Sequence, residues 1–194
     1  MTDFSIESII EIRESIKSEL DPLRYEHTLG VAYTAACLGM KWGEDPLKCE
    51  LAGLLHDCAK CYSHEDQKKG CQDNGISLSE EELLAPQIIH AKYGSFLARS
   101  KYGIADDDIL NAIKFHTTGR AQMSMLEKII YIADFIEPMR YKSKCLKEAR
   151  TEAFRDIDKC MVIILLDTFQ YLEQSGKPVE SYTYEAYNYF KAIV

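Results

Sequence analysis

The stretch that decides the fold is Leu51-Ala52-Gly53-Leu54-Leu55-His56-Asp57, an apolar run that ends in a histidine and an aspartate. Asp45-Pro46 precedes it, and an aspartate followed by proline is a typical helix start. The stretch therefore predicts a buried helix from Asp45 to about Cys58. His56 and Asp57 are neighbours in sequence, so on a helix their side chains point about 100° apart. Both can reach one ion only at the end of the helix or if the side chains are long enough. Taken alone, the pair is equally well explained as a helix C-terminal cation beside a solvated carboxylate.

Further residues of metal-ligand type lie at wide spacing in apolar segments that look helical: His27, His90, His116 and Asp134. Polar rings and carboxylates are costly in such segments unless something binds them. Taken alone, His27 is better explained as an ordinary core or surface histidine, and His90 and His116 are each weak signals. The order His, His-Asp, His, His, Asp across consecutive helices is far more specific than any single member.

Helical periodicity covers nearly the whole chain, and no alternating strand pattern persists. We predict an all-α helical bundle that forms a single domain over residues 1–194, with a core at about 20–140 and C-terminal helices at 147–194 packing on it. Besides 45–58, the expected helices cover residues 6–20, 23–42, 86–101, 106–119, 125–136, 147–174 and 183–194. Residues 62–79 are polar and rich in turn residues, so we expect them to be the least ordered, with a capping box beginning at Ser79.

Composition excludes several classes of protein. The net charge of −8 argues against a general nucleic-acid binder. No apolar run approaches the ~20 residues that a membrane span needs, and the N-terminus is unlike a signal peptide. Seven cysteines without such a signal predict free thiols in the cytoplasm. Cys58 and Cys61 form the only CxxC, with His64 after it. We interpret the pair as incidental thiols, because zinc sites usually need a second ligand pair.

Four motifs together carry a resemblance to a known family: RYEHTLGVA at 24–32, LLHDCAK at 54–60, HTTG at 116–119 and YIADFIEPMR at 131–140. They resemble the HD-domain metal-dependent phosphohydrolases, an all-helical superfamily named for its His-Asp pair. Within that superfamily they are most similar to the YqeK branch, the bacterial symmetrical hydrolases of diadenosine tetraphosphate. The similarity runs from about Arg24 to the C-terminal helix. It implies hydrolysis of a dinucleoside polyphosphate, with diadenosine tetraphosphate cut to two ADP.

The resemblance also implies the site residues. Iron, or another divalent metal, would be held by His27, His56, Asp57 and Asp134, and imidazole plus carboxylate without thiolate suits such an ion better than a structural zinc. His90 and His116 hold a second ion, with Asp57 bridging, or else donate directly to the phosphates. The candidate catalytic residues are His56, Asp57, Lys60 and Asp134. The candidate substrate-binding residues are Arg24, Lys60, His90, His116, Thr117 and Arg140.

Several alternatives stay open. One alternative is an HD hydrolase of another nucleotide, such as a nucleoside monophosphate or a guanosine tetraphosphate alarmone. The other is a non-catalytic nucleotide sensor. A degenerate sensor usually loses metal ligands, which this chain retains. Without the motifs, each cation would be a solvated charge, and the alternative for Thr117 is a helix cap. We interpret the Arg150–Lys159 cluster as a solvated helix face. The family resemblance suggests a homodimer, and the aromatic tail at 182–190 fits core packing or a dimer contact better than a nucleobase pocket.

Overall fold

A computed structural model describes residues 5–194 of the chain, and within that range it contains helices and connecting turns but no strand. The prediction of an all-α bundle is therefore confirmed. The α-helices are α1 Ile6–Glu19, α2 Pro22–Trp42, α3 Pro46–Leu55, α4 His64–Asp73, α5 Glu80–Leu84, α6 Ile89–Ser100, α7 Asp107–Phe115, α8 Met125–Ile136, α9 Leu146–Glu152, α10 Ile157–Gln174 and α11 Ser181–Ile193. A 3₁₀ turn, Pro86–Ile88, leads into α6.

Helix starts follow from local side-chain chemistry. Asp21 accepts a hydrogen bond from the Arg24 backbone N–H at the start of α2, and Asp45 caps α3 in the same way. In both helices proline occupies the first turn, where a missing N–H costs nothing. Ser124 and Glu127 form a reciprocal capping box at the start of α8. The predicted positions of these starts are therefore explained by the sequence itself.

The expectation that residues 62–79 are largely irregular was wrong, because α4 occupies much of this segment. Ser63 caps the helix by accepting from the Asp66 backbone N–H. The buried side chains of Gln67 and Cys71 then anchor one face. The Gln67 amide donates to the carbonyl oxygens of Ala59 and Tyr62, at 3.1 and 2.9 Å. Hydrogen bonds to the turn that precedes it thus stabilise a helix that has almost no apolar face.

The single long helix expected at 147–174 was also wrong, because the chain turns at 153–156 and divides it into α9 and α10. Asp156 begins α10 by accepting from the Lys159 backbone N–H. The Arg150–Lys159 charges therefore do not share one helix face. Arg150 donates instead to three carbonyl oxygens, those of Ile136, Glu137 and Arg140, each at 2.9 Å. It ties α9 to the chain just after α8.

The core forms around α3, whose side chains Leu51, Leu54 and Leu55 are fully buried. Helix α2 crosses α3 so closely that a Cβ at Gly53 would lie 2.7 Å from the Ala32 Cα. Helices α7 and α8 pack on α3 as well, α6 packs on α7, α10 packs on α8, and α11 packs on α10. Among residues 5–194, no helix is long and apolar enough to cross a membrane. This packing brings α2, α6, α7 and α8 to the C-terminal end of α3.

Candidate active site

The His-Asp pair lies where α3 ends. Leu55 is the last helical residue, His56 occupies the C-cap position, and the chain turns through Asp57. Both side chains are buried, with exposed fractions of 0% and 5%. Because the helix has ended, the two side chains converge, and His56 Nε2 lies 3.6 Å from Asp57 Oδ2. The helix-end geometry expected from the sequence is present.

The other predicted ligands surround this pair. His27 of α2 lies with its Nε2 3.1 Å from Oδ1 of Asp134 on α8, and the same oxygen is 3.9 Å from His56 Nε2. His90 of α6 and His116, just after α7, approach Oδ1 of Asp57 at 3.2 and 3.6 Å. Asp57 therefore presents Oδ2 to His56 and Oδ1 to the other two rings. All six residues proposed as first or second metal ligands meet in one place.

The cluster contains two groups with metal-ligand spacing: His27, His56 and Asp134, and His56, Asp57 and His116. Within each group, the ligand atoms lie within 4.8 Å of one another. His56 Nε2 is buried and has no hydrogen-bond partner within residues 5–194. A buried imidazole nitrogen without a partner is costly, and a divalent ion between these groups would satisfy it. The donor set therefore fits a metal ion.

The ring orientations are fixed through Nδ1. His56, His90 and His116 each donate Nδ1–H to the carbonyl oxygen three residues earlier, at 2.6, 2.8 and 2.7 Å respectively. A carbonyl oxygen only accepts, so this assigns the proton to Nδ1 and turns the Nε2 lone pair to the centre. His27 differs, since its Nδ1 lies 3.0 Å from Oε1 of the buried Glu137.

Burial and neighbouring charges set the protonation of the cluster. Burial lowers the pKa of both His56 and His90 to about 4, which keeps these rings neutral at physiological pH. Burial opposes ionisation of Asp57, but the nearby rings of His56, His116 and His90 outweigh it and hold the pKa of the carboxyl well below its ordinary range. Burial also opposes ionisation of Asp134, yet His27 and Arg140 lower its pKa strongly. Neutral imidazoles and ionised carboxylates are the forms that bind metal.

Three cations border the cluster. Arg24 Nη1 donates to Asp57 Oδ2 at 2.8 Å, and Arg140 contacts Oδ1 of Asp134 while its Nε donates to the Asp134 carbonyl oxygen at 2.8 Å. Lys60 is half-buried, and within the described part of the chain no hydrogen bond or ion pair engages its ammonium. Burial lowers the pKa of Lys60 despite the attraction of Asp57. All three cations predicted for phosphate binding therefore lie beside the predicted metal ligands.

Asp134 lines two cavities. The larger, of about 650 Å³, is lined by Arg24 and Arg140 together with the exposed apolar side chains of Leu23 and Tyr141. The smaller, of about 190 Å³, is lined by His116, Thr117 and Tyr131 among others. The Thr117 hydroxyl is buried and finds no hydrogen-bond partner among residues 5–194, so it does not cap the helix end.

Sequence reasoning missed two features of the site. From the sequence, no role was assigned to Glu137, although a glutamate before a proline at the end of an apolar helix indicates a candidate site residue. No pattern in the sequence indicated the apolar lining by Leu23 and Tyr141.

Neither CxxC cysteine belongs to a group with metal-ligand spacing in the described chain. Cys58 is buried and donates to the Gly94 carbonyl oxygen at 3.5 Å.

Comparisons with known proteins agree with this geometry. The model of the HD domain family matches residues 24–139. The symmetrical bis(5'-nucleosyl)-tetraphosphatase of Halalkalibacterium halodurans is 37% identical, over 89% of this chain and 91% of its own. The Bacillus subtilis protein of the same name is 35% identical, over 90% and 92%.

A solved structure is similar as well. It is a crystal structure from Clostridium acetobutylicum, described as a predicted HD superfamily hydrolase involved in NAD metabolism. That chain is 39% identical with a TM-score of 0.92, and the match covers 98% of this chain and 99% of the other. The chain therefore belongs to the HD domain family, in the branch whose members include proteins named symmetrical bis(5'-nucleosyl)-tetraphosphatase.

Proposed function

We propose that this protein is a metal-dependent hydrolase that cleaves diadenosine tetraphosphate symmetrically to two ADP. The observation that carries the proposal is the buried cluster of four histidines and two aspartates, in which His56 Nε2 lacks a partner among the described residues. The names of the relatives, which match nearly the full chain, supply the substrate. Three bordering cations suit a polyphosphate, in a chain whose overall net charge is −8.

Membership in the HD domain family implies a divalent metal ion, and we assign its ligands as His27, His56, Asp57 and Asp134. Iron is the ion we propose, since imidazole and carboxylate donors without thiolate suit it. When bound, the ion would polarise a phosphoryl oxygen and favour ionisation of the attacking water. Asp57 presents its second oxygen to His90 and His116. That arrangement supports a second ion with Asp57 as the bridge. The alternative, in which the two rings donate to the phosphates, would require a second proton on each ring, at Nε2, because Nδ1–H already donates to a backbone carbonyl oxygen.

The phosphate chain would be held by Arg24, Lys60 and Arg140. Arginine offers two parallel donors to a phosphate, whereas lysine acts as a point charge. Lys60 has the strongest case, because its half-buried ammonium has no counter-ion contact within residues 5–194. Thr117, with a buried hydroxyl that lacks a partner there, would donate from the smaller cavity.

The larger cavity suits one nucleoside of the substrate. Its volume of about 650 Å³ falls within the roughly 300–1,000 Å³ typical of small-molecule sites. Leu23 and Tyr141, with exposed fractions of 73% and 80%, offer apolar surface for a base. Arg24 and Arg140 line the same cavity. This arrangement would fix one ADP half and set the phosphorus second from its nucleoside against the metal ligands.

Product analysis tests the proposal. Metal-loaded protein is incubated with diadenosine tetraphosphate, and the products are separated by chromatography after partial turnover. We expect ADP alone, with inhibition by added ADP, and no turnover by Asp57→Ala prepared in parallel. ATP plus AMP would reject the symmetrical assignment, since it would place the attacked phosphorus one position along the chain.

A second candidate is hydrolysis of another nucleotide, such as a nucleoside monophosphate or a guanosine tetraphosphate alarmone. The description of the similar Clostridium structure as involved in NAD metabolism favours keeping this candidate. Turnover of such a nucleotide, with none of any dinucleotide, would support it. Metal-loaded protein that binds nucleotides without turning any over would instead support the sensor.

The cellular compartment and the oligomeric state of the protein are also proposals. We infer a cytoplasmic homodimer. All seven cysteines are free thiols, which suits a reducing compartment. Family resemblance is the support for the dimer, and the molar mass in solution tests it.

A further inference from the structure

Of the four histidines in the cluster, His27 obtains its Nδ1 partner in a different way. His56, His90 and His116 lie at helix ends or just beyond a 3₁₀ turn, where the carbonyl three residues back accepts from the ring. His27 lies within α2, where the helix itself uses the preceding carbonyl oxygens. Its Nδ1 therefore needs a partner from elsewhere in the fold. Oε1 of Glu137 is that partner, at 3.0 Å.

Glu137 is held in place for this contact. Its side chain is 1% exposed, and its other oxygen, Oε2, accepts from the Met139 backbone N–H at 2.6 Å. The backbone around it is anchored by Arg150, which donates to the Glu137 carbonyl oxygen at 2.9 Å. Each carboxylate oxygen thus accepts one hydrogen bond, Oε1 from His27 and Oε2 from Met139.

Gly30 makes room for this carboxylate. It lies one turn after His27 on α2, and a Cβ at this position would come within 2.7 Å of Glu137 Oε2. Although a glutamate terminus is flexible, this one is buried and bound by two donors, so it could retreat only by giving up hydrogen bonds. The absence of a side chain at position 30 therefore preserves the contact between Glu137 and His27.

We infer that Glu137, in the space left by Gly30, is a positioning residue that keeps the His27 proton on Nδ1 and turns the Nε2 lone pair toward the metal ion. A carboxylate behind a ligating histidine fixes the ring orientation and strengthens the ligand. This inference rests on the metal site of the proposed function, but not on the identity of the substrate.

Glu137→Gln is the first test, because a single amide cannot serve both donors. If the Gln oxygen accepts from His27, its NH₂ group faces the Met139 N–H, and the reverse orientation presents a donor to His27 Nδ1. Mn²⁺ binding to metal-free protein is followed by the electron paramagnetic resonance of the free ion. We expect about 10–100-fold weaker binding than wild type. The thermal midpoint of each metal-free variant is measured alongside.

Gly30→Ala is the second test, and it changes no charge. Alanine favours the helix more than glycine does, whereas the displaced Glu137 gives up hydrogen bonds, so the two effects on the thermal midpoint oppose each other. Mn²⁺ binding should weaken about threefold or more. Gly94→Ala in α6 is the matched control. A Cβ there meets its nearest neighbours at 3.6 Å, an ordinary contact, so Mn²⁺ affinity should stay within about twofold of wild type.

Proton resonances give an independent measurement. In Zn²⁺-loaded wild type, we expect a His27 Nδ1–H signal that exchanges slowly with water, because a buried carboxylate accepts from it. In Glu137→Gln this signal should broaden or shift upfield, an effect that lower stability alone would not produce.

The outcomes separate clearly. Mn²⁺ affinity within twofold of wild type in both Glu137→Gln and Gly30→Ala would overturn the inference, as would an equal loss in Gly94→Ala. If Glu137→Gln fails to fold, Gly30→Ala decides. Wild type that binds Mn²⁺ but hydrolyses no dinucleotide would refute the proposed substrate alone, whereas wild type that binds no metal would refute both.

Discussion

Lys60→Met separates substrate binding from folding, because the two should change in opposite directions. Methionine keeps the length and most of the volume of the lysine stem and removes only the charge. Lys60 is half-buried, and burial lowers its pKa. A folded-state pKa below the ordinary 10.5 means that the ammonium opposes folding, fully below the folded-state pKa and progressively less as the pH rises toward 10.5. At pH 7 the variant should therefore unfold at the same temperature as wild type, or higher.

Turnover should respond the other way. A hydrogen bond to a charged phosphate contributes about 1.5–3 kcal/mol, which corresponds to roughly a ten- to over a hundredfold loss in kcat/KM. The metal content should stay at the wild-type level, since Lys60 is not a proposed ligand. Steady-state kinetics with diadenosine tetraphosphate, elemental analysis and a thermal melt give the three values.

Lys114→Met is the matched control. Burial lowers the pKa of Lys114 too, but this side chain lines a different cavity, with Lys92 and Asn111. Its replacement should leave kcat/KM unchanged at an equal or higher melting temperature. Wild-type kcat/KM in Lys60→Met would refute the assignment of this ammonium to the phosphates. A matching kinetic loss in Lys114→Met would show that the effect is not local.

Three further outcomes are expected. Asp57→Ala should lose metal and activity together, since its two oxygens face three histidines; elemental analysis showing as much metal in the variant as in wild type would contradict this. Cys58→Ser with Cys61→Ser should keep metal content and turnover within a few-fold of wild type, because burial raises the pKa of both thiols, whereas reactive or ligating cysteines need a lowered one; a large loss of bound metal would show that they are ligands. Tyr141→Ala should raise KM with little change in kcat or melting temperature, as expected for an exposed side chain that contacts only the nucleoside; unchanged KM would place the base elsewhere.

The sequence allows the start of a helix to be predicted where the capping residues are neighbours in the chain. The aspartate-proline starts of α2 and α3 are encoded in two adjacent residues. The break before α10 could have been predicted in the same way, since Asp156 is a typical N-cap, but the apolar periodicity through 147–174 hid it. Helix α4 could not have been predicted as readily. Its stability depends on Gln67 reaching the carbonyl oxygens of Ala59 and Tyr62, and an apolar pattern does not record such contacts.

The sequence by itself determined the kinds of ligand and their order along the chain, because an imidazole or a carboxylate in an apolar helix is visible one residue at a time. Only the tertiary structure decided how those groups meet. Asp57 turns one oxygen to His56 and the other to His90, and His27 finds its partner Glu137 at a distance of 110 residues along the chain. The first follows from the turn at the end of α3, and the second from the packing of α2 on α8. Contacts between residues so far apart depend on how the helices pack, and helical periodicity specifies which face is buried but not which neighbour covers it.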